Sequence, residues 1–365
     1  MAKVRAATFE DGEAIRQIHL RNGMDDLDAG SWRARWEAYP FAAEFPEVPI
    51  GWVLQADSGE IVGSLGNVHM MYELGGRRLK ASIATSWAVD AEYRSGSFPL
   101  ITSFYRQKGV DLLINGSANV ATSQVLTALR IPRIPIPSYN EPCFWAIRPA
   151  AFAKAALARR KFRGAGLAAY PAGLALLVRD LIVRSGRREM FGRRPKGLRV
   201  EKLTSFDSRF DALWEDVAAG PVRLRAVRNR AVLAWRYGAE VSRGEALVLA
   251  AEAGGRLVGY AVLLRRSDAE QGMRLYDLAD LQAAGDRADV MKELLVGSIA
   301  LAKEAGADAL KFTTGTPAKR RAAEALRPYT YHLPLWQLYY KAARPEVNEQ
   351  LGSAEAWDFS LFDRF

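Results

Sequence analysis

Between Val4 and Ile147 the apolar positions fall into short continuous or alternating runs separated by stretches with helical spacing, the signature of interleaved strands and helices. Val4-Arg5-Ala6-Ala7 predicts a short strand and about Asp11 to Asn22 a helix. Trp52 to Gln55 and Ile61 to Met71 predict two strands joined at the turn Asp57-Ser58-Gly59, and Ala81 to Val89 a third long strand. After the loop Tyr93-Arg94-Ser95-Gly96-Ser97, Pro99 suits the first turn of a helix running to about Gln107. Val110 to Ile114 predicts a buried strand and Val120 to Leu129 a helix, and the proline-rich passage Pro132 to Pro142 leads into a strand over Cys143 to Ile147.

The second half repeats this order. Ala246 to Ala251 and Leu257 to Arg265 predict a hairpin about Ala253-Gly254-Gly255, and Arg274 to Leu281 the next strand. A helix over Val290 to Glu304, a strand over Ala309 to Thr313, a helix over Pro317 to Leu326 and a closing strand over Leu335 to Lys341 complete it. The registers agree: Gly63 matches Gly259 at an offset of 196, while Gly109 and Asp111 match Gly306 and Asp308 at an offset of 197. One fold duplicated, at 1–150 and 200–345, accounts for this period, with a connector at 151–199 and a tail at 346–365. The expected class is α/β (α+β), each half a mixed, mostly antiparallel sheet flanked by helices.

Charge changes the picture in one place. The chain of 365 residues carries a formal net charge of +10, yet thirteen Lys or Arg lie between Lys154 and Arg199 against only Asp180 and Glu189, so the remainder is near neutral. Within this connector Gly164 to Val178 is uncharged and, at fifteen residues interrupted by Pro171, short of the roughly 20 that cross a bilayer. Helical spacing predicts a linker that packs Leu174, Leu177, Leu181 and Ile182 onto the body. The alternatives are an interfacial segment facing anionic lipid and an arm that contacts tRNA. One cysteine, Cys143, excludes an internal disulfide framework, and three separated histidines (His19, His69, His332) argue against a zinc centre, so no metal site is expected. The start Met1-Ala2-Lys3-Val4-Arg5 lacks an apolar signal core, which predicts a cytoplasmic protein, peripheral at the inner face of the membrane if the connector touches lipid.

The segment Val89-Asp90-Ala91-Glu92-Tyr93-Arg94-Ser95-Gly96-Ser97-Phe98 stands where a phosphate loop follows a central strand, and Asn119, Thr122, Leu126, Arg130 and Ile131 stand along the helix after the next strand. In these residues, and in the order of elements over nearly the whole chain, the sequence resembles the GCN5-related N-acetyltransferase (GNAT) superfamily, present twice in tandem. The first segment is similar to the family's Arg/Gln-x-x-Gly-x-Gly/Ala loop, with its glycines displaced. The second is similar to Asn-x-x-Ala-x-x-x-Tyr-x-x-x-Gly-Phe, with Leu126 in place of the tyrosine that protonates the departing thiolate. No acid lies between Ala81 and Ala88, where the family often places a base. In the second copy Asp280 and Asp286 occupy the loop position and would repel a pyrophosphate, which makes that copy a structural or acceptor-shaping half. A degenerate half also resembles the Fem-type aminoacyl transferases, which take aminoacyl-tRNA as donor.

The resemblance implies an acyl-CoA donor, acetyl-CoA or a longer chain, with pantetheine along Ala88 and Val89 and pyrophosphate at Arg94, Ser95, Gly96 and Ser97. Asn119 stands as a cofactor contact or a simple N-cap, and the loop as a phosphate cradle or a solvated turn with Ser97 capping the next helix. For catalysis the candidates are His69, a base or a packed strand histidine, and Tyr139 with Glu141, acceptor-site residues or turn chemistry. Cys143 reads as a buried small side chain or a nucleophile. Trp235-Arg236-Tyr237 reads as closing a groove between the halves or as core, Trp32 and Trp36 as a packed stripe, and the aromatic tail from Trp357 as docked on the body. The function expected is acyl transfer to a small-molecule amine, with an amino sugar of a surface-polysaccharide pathway preferred. Fem-like transfer from tRNA and a non-catalytic binding protein are the alternatives. The sequence is silent on oligomeric state.

Overall fold

The computed structural model describes residues 2–24, 26, 28–190, 197–268, 273–332 and 337–365. The chain opens with β1 (Lys3–Ala6), α1 (Gly12–Arg21) and α2 (Ala29–Glu37), then β2 (Gly51–Gln55), β3 (Ile61–Leu74) and β4 (Arg77–Val89). It continues with α3 (Phe98–Arg106), β5 (Leu112–Ala118), α4 (Val120–Ala128), β6 (Cys143–Ala146), α5 (Pro149–Arg159), α6 (Ala165–Ile182) and α7 (Gly186–Glu189). The second half holds β7 (Leu198–Leu203), α8 (Arg209–Ala218), β8 (Arg225–Ala226), α9 (Arg230–Ser242), β9 (Ala246–Ala253), β10 (Arg256–Asp268) and β11 (Met273–Ala283). It ends with α10 (Ala288–Glu304), β12 (Ala309–Phe312), α11 (Pro317–Ala325), β13 (Tyr329–Thr330), β14 (Gln337–Ala342) and α12 (Pro345–Gln350). The α/β class expected from the pattern is the class observed. Long strands form where apolar residues dominate both faces, as over β3 and β10, because helices or the other half cover both sides.

Two sheets share one order. The first runs β1-β2-β3-β4-β5-β14 and the second β7-β9-β10-β11-β12-β6-β13, antiparallel except for the parallel steps β4–β5 and β11–β12. Each sheet therefore takes a strand from the other half. The strand over Cys143 to Ile147, which the pattern places at the end of the first half, pairs with β12 of the second, Trp145 opposite Leu310. The closing strand of the second half, expected over Leu335 to Lys341 and described from Gln337 onward, pairs with β5, Tyr340 opposite Ile114. The passage Pro132 to Pro142 makes the crossing: Ile134 N–H donates to Leu338 O and Tyr340 N–H to Pro132 O, so the passage is itself tied to the incoming strand.

The matched residues of the two halves do matched work. Gly109 and Gly306 both take positive φ, +83° and +73°, in the turn before the parallel strand, a conformation that favours glycine. Two residues on, Asp111 accepts from Lys80 N–H and Asp308 from Arg274 N–H, each holding the start of the neighbouring strand. Each aspartate also binds the arginine that follows the exchanged strand, Arg344 to Asp111 at 2.7 Å and Arg148 to Asp308. Gly63 and Gly259 likewise sit opposite the last residues of the ladders, Val89 and Ala283.

A large apolar cluster joins the halves, with Tyr72, Leu79 and Ile83 of the first sheet against Phe210 of α8, Val232 of α9 and Tyr260 of β10, and with Trp357, Phe359 and Phe362 of the tail. The tail is docked, as its aromatic content predicts. At its root lies a buried ionic knot: Arg228, fully enclosed, reaches Asp280 at 3.0 Å and Asp363 at 3.3 Å, and Tyr72 donates to Asp363 at 2.8 Å.

Candidate active site

The first sheet opens in its middle. Pairing of β4 with β5 ends at Ala84–Asn115, and beyond it 85–89 and 116–118 diverge. On the other side of β4 the register slips: Gly66 faces Thr85 and Ser64 faces Ala88, so Leu65 alone opposes Ser86 and Trp87. This is a β-bulge, and Ser86 carries it at φ +51°, a left-handed conformation costly for a side chain with Cβ. Strand divergence and bulge together leave the edge of β4 without a partner strand, able to pair with an extended amide-bearing ligand as an added strand would.

A cleft of about 570 Å³ lies at this point, a volume within the range of small-molecule sites. Its walls include His19 of α1, Trp32 and Arg35 of α2, Thr85 to Trp87 of β4, Asn115 and Ser117 of β5, and Arg364 and Phe365 of the tail. His19 Nε2 is 3.3 Å from Ser64 Oγ. Burial lowers its pKa below 6.5, a backbone interaction with Ser86 opposing, so the imidazole is neutral and basic near pH 7. Burial, and then repulsion from Arg236, lowers Arg35 to about 10. It still carries its charge at neutral pH, and no carboxylate lies within ion-pairing distance among the described residues. The buried Trp87 indole N–H has no acceptor among the described residues, an orphan donor of the kind a ligand satisfies. Thr85 Oγ1 donates to Phe365 O at 2.7 Å. Arg236 Nη2 donates to Arg364 O at 2.6 Å, and its guanidinium lies over the Phe365 ring. Trp235-Arg236-Tyr237 thus holds the tail at the cleft.

The residues expected from sequence divide unevenly about this cleft. Asn119 is the N-cap of α4, its side chain accepting from Thr122 N–H at 2.9 Å, and it also lines the cleft. Ala88 and Val89 are buried on the diverging end of β4. Arg94, Ser95 and Gly96 are exposed on a short 3-10 turn whose Tyr93 and Ser97 N–H groups are used by Asp90 O and Arg94 O, and Arg94 folds back on Val89 O at 3.4 Å. None of the four loop residues from Arg94 to Ser97 is a wall of the cleft. Ser97 does not cap α3, because its hydroxyl donates to Arg94 O instead.

The three residues expected for catalysis, His69, Tyr139 and Glu141, are not among the walls of this cleft. His69 stacks on Phe45 with ring centroids 4.9 Å apart, sits 3.2 Å from Pro49 O, and burial lowers its pKa to about 4; it is a packed histidine away from the cleft. Tyr139 is buried against Phe359, and burial raises its hydroxyl pKa. Glu141 is exposed, its backbone oxygen and carboxylate both facing Arg320. The three side chains do not meet. Cys143 is fully buried, and burial raises its thiol to about 11, as for a small core side chain.

Sequence reading passed over His19, Arg35 and Trp87. His19 and Arg35 look like ordinary helix polar residues, since their neighbours come from strands and from the tail. Trp87 carried a signal: Thr85-Ser86-Trp87 interrupts the apolar run 81–89, and a polar break inside a buried strand marks a bulge.

No protein-family model matches this sequence, and no curated protein sequence does. Solved structures do match in shape. A GCN5-related N-acetyltransferase from Anabaena variabilis superposes with a TM-score of 0.55 at 11% identity, over 94% of this chain and 73% of that one. The N-myristoyltransferase of Saccharomyces cerevisiae with bound myristoyl-CoA gives 0.54 at 11%, over 93% and 82%. A GCN5-related N-acetyltransferase from Kribbella flavida gives 0.53 at 13%, over 94% and 71%. The chain has the fold of the GCN5-related N-acetyltransferases. At these identities the likeness is one of fold, and it spans both halves.

Proposed function

We propose that this chain is an N-acyltransferase that moves an acyl group from acyl-CoA to an amine, and that the reaction runs in the cleft between β4 and β5. The observation that carries this reading is the open, bulged edge of β4 at Ser86 beside a half-buried neutral histidine. The pantetheine amides would pair with the free edge of β4 along 85–89, with the thioester beside the bulge. The acceptor nitrogen attacks the carbonyl carbon, a C–N bond forms, and the oxyanion collapses with cleavage of C–S. His19 takes the proton that the amine loses and returns it to the departing thiolate, the acid that Leu126 cannot supply. Arg35 faces an anionic group on the acceptor or donor. An amino sugar bearing such a group is the acceptor class we favour. The two halves, with their matched sheets, glycines and aspartates, are two copies of one fold, of which the first holds the chemistry.

Transfer from aminoacyl-tRNA would need a basic path to this cleft. Arg35 and Arg364 are the Lys or Arg residues on its walls among the described residues, and the large basic excess lies elsewhere in the sequence, between Lys154 and Arg199. The test is calorimetric titration of acetyl-CoA and longer acyl-CoAs, followed by thiol release with a panel of amines. Saturable binding at one site, with turnover lost in His19→Ala and donor binding kept, supports the reading. Absence of binding up to millimolar ligand overturns it.

A further inference from the structure

The helix α6 is turned inside out for a water-facing element. Its buried positions are the small or polar Ala169, Gly173 and Asp180, and a Cβ at Gly173 would come within 2.8 Å of Ala150 Cα, so α5 and α6 pack almost backbone to backbone. Its large apolar side chains point outward: Leu167, Tyr170, Leu174, Val178, Leu181 and Ile182 are exposed, Leu167 by 87% and Ile182 by 75%. At 100° per residue these six fall on one stripe of the helix. The expectation that Leu174, Leu181 and Ile182 pack onto the body is therefore corrected. A stripe of this kind on a protein surface marks a docking site.

Charge identifies the occupant. Arg159, Arg160, Lys161 and Arg163 are exposed at the start of the stripe, and Arg184 and Arg188 at its end. The acids nearby are already engaged, Asp180 by Tyr329 at 3.0 Å and Arg179 at 3.1 Å, Glu189 by Lys292 at 2.9 Å. Arg193, Arg194 and Lys196 lie outside the described residues. An apolar stripe between two basic ends matches the acyl boundary and headgroups of an anionic bilayer. A second copy of the chain would bring like charges together, and a nucleic acid would leave the apolar stripe uncovered.

We infer that α6 lies in the plane of an anionic membrane, apolar stripe down and basic ends on the headgroups. At 18 residues the helix is long and apolar enough to cross a bilayer, but three contacts hold it against the body. Gly173 is locked on Ala150, Arg179 donates to Arg327 O at 2.8 Å, and Asp180 is tied to Tyr329. Insertion across the bilayer would break all three and place Asp180 in hydrocarbon. The inference stands apart from the acyl-transfer reading, since it uses none of the residues of the cleft.

The test is co-sedimentation of the full chain with vesicles of phosphatidylcholine containing about one third phosphatidylglycerol. Binding is expected there and is weaker on pure phosphatidylcholine. Leu167→Asp with Leu174→Asp abolishes it while the thermal unfolding midpoint stays, because both side chains are already in water. Arg160→Gln, Lys161→Gln and Arg163→Gln together weaken it by about 100-fold, some fivefold for each charge. A nitroxide on Leu174→Cys, specific because Cys143 is buried, reads a depth of about 5–10 Å below the headgroups. Any of four results overturns the inference: no binding to anionic vesicles, full binding by the aspartate variants, a label at the bilayer midplane, or tRNA binding unaffected by the aspartates with no vesicle binding.

Discussion

Thr85, on the diverging strand of the first sheet, donates its hydroxyl to the carbonyl oxygen of Phe365 across 280 positions of sequence. A strand edge that would otherwise be capped by a neighbour is met here by the tail of the other half. The same tail residues are gripped from behind by Arg236, which binds the Phe362 and Arg364 carbonyls at 3.2 and 2.6 Å. The cleft is thus assembled from both halves, although its strands belong to the first sheet. Thr85→Val keeps the shape and deletes the donor, so the tail should loosen by about 1 kcal/mol. Hydrogen exchange of the peptide ending at Phe365 is expected to quicken about fivefold with the rest of the chain unchanged, and unaltered exchange there would show the contact to be idle.

The tail is anchored further back by Arg228. Its charge is enclosed between Asp280 and Asp363, with Tyr260 donating to Asp280 at 2.6 Å. Removing one partner of a buried ion pair leaves the others uncompensated, so Arg228→Met should cost about 3–5 kcal/mol in urea unfolding. Adding Asp280→Asn and Asp363→Asn should recover most of that loss, because the stranded charges go with the arginine. If the triple variant is as unstable as the single one, packing rather than charge explains the position.

Much of the fold is legible in the chain. The apolar runs predict most of the strands to within a few residues, β7, β8 and β13 excepted, and the offset between Gly109-x-Asp111 and Gly306-x-Asp308 points to matched turns. The exchange of β6 and β14 was not, because a strand's own sequence states that it is buried and not which sheet it joins. Arg148 and Arg344, at nearly the same offset, are the residue-level trace of that exchange, readable only once their aspartate partners are known. Of the candidate site, the sequence pointed to the third long strand of the first half, but the loop after it, Arg94 to Ser97, is not a wall of the cleft, and the side chains that line it were not legible. His19 meets Ser64 from 45 positions away, and Phe365 reaches Thr85 only through the folded tail. His69 shows the converse: a strand histidine looks chemical until Phe45 and Pro49 are seen around it.

His69 nevertheless has a measurable signature. Its folded pKa of about 4 lies below the ordinary 6.5 of an unfolded chain, so the unfolded state binds the extra proton between these values. Stability from this group is complete above pH 6.5 and declines as pH falls toward 4, a loss of order 3 kcal/mol. His69→Phe, which keeps a ring on Phe45, should flatten that part of the profile relative to the parent. Identical profiles between pH 6.5 and 4 would show that the imidazole charges freely in the fold.

Trp87 offers the sharpest separation of binding from stability. Its indole N–H is buried at the wall of the cleft with no acceptor among the described residues, and such an orphan costs about 1–3 kcal/mol in the empty protein. Trp87→Phe removes the donor and keeps most of the ring, so the free protein should become more stable, or at least no less so. Donor affinity should move the other way, falling about fivefold for one lost hydrogen bond of roughly 1 kcal/mol. A residue that serves packing alone would lose stability on truncation and leave affinity alone. Opposite signs in urea unfolding and in acyl-CoA titration are therefore the outcome expected of a group kept for its ligand, and parallel losses in both would assign Trp87 to the core.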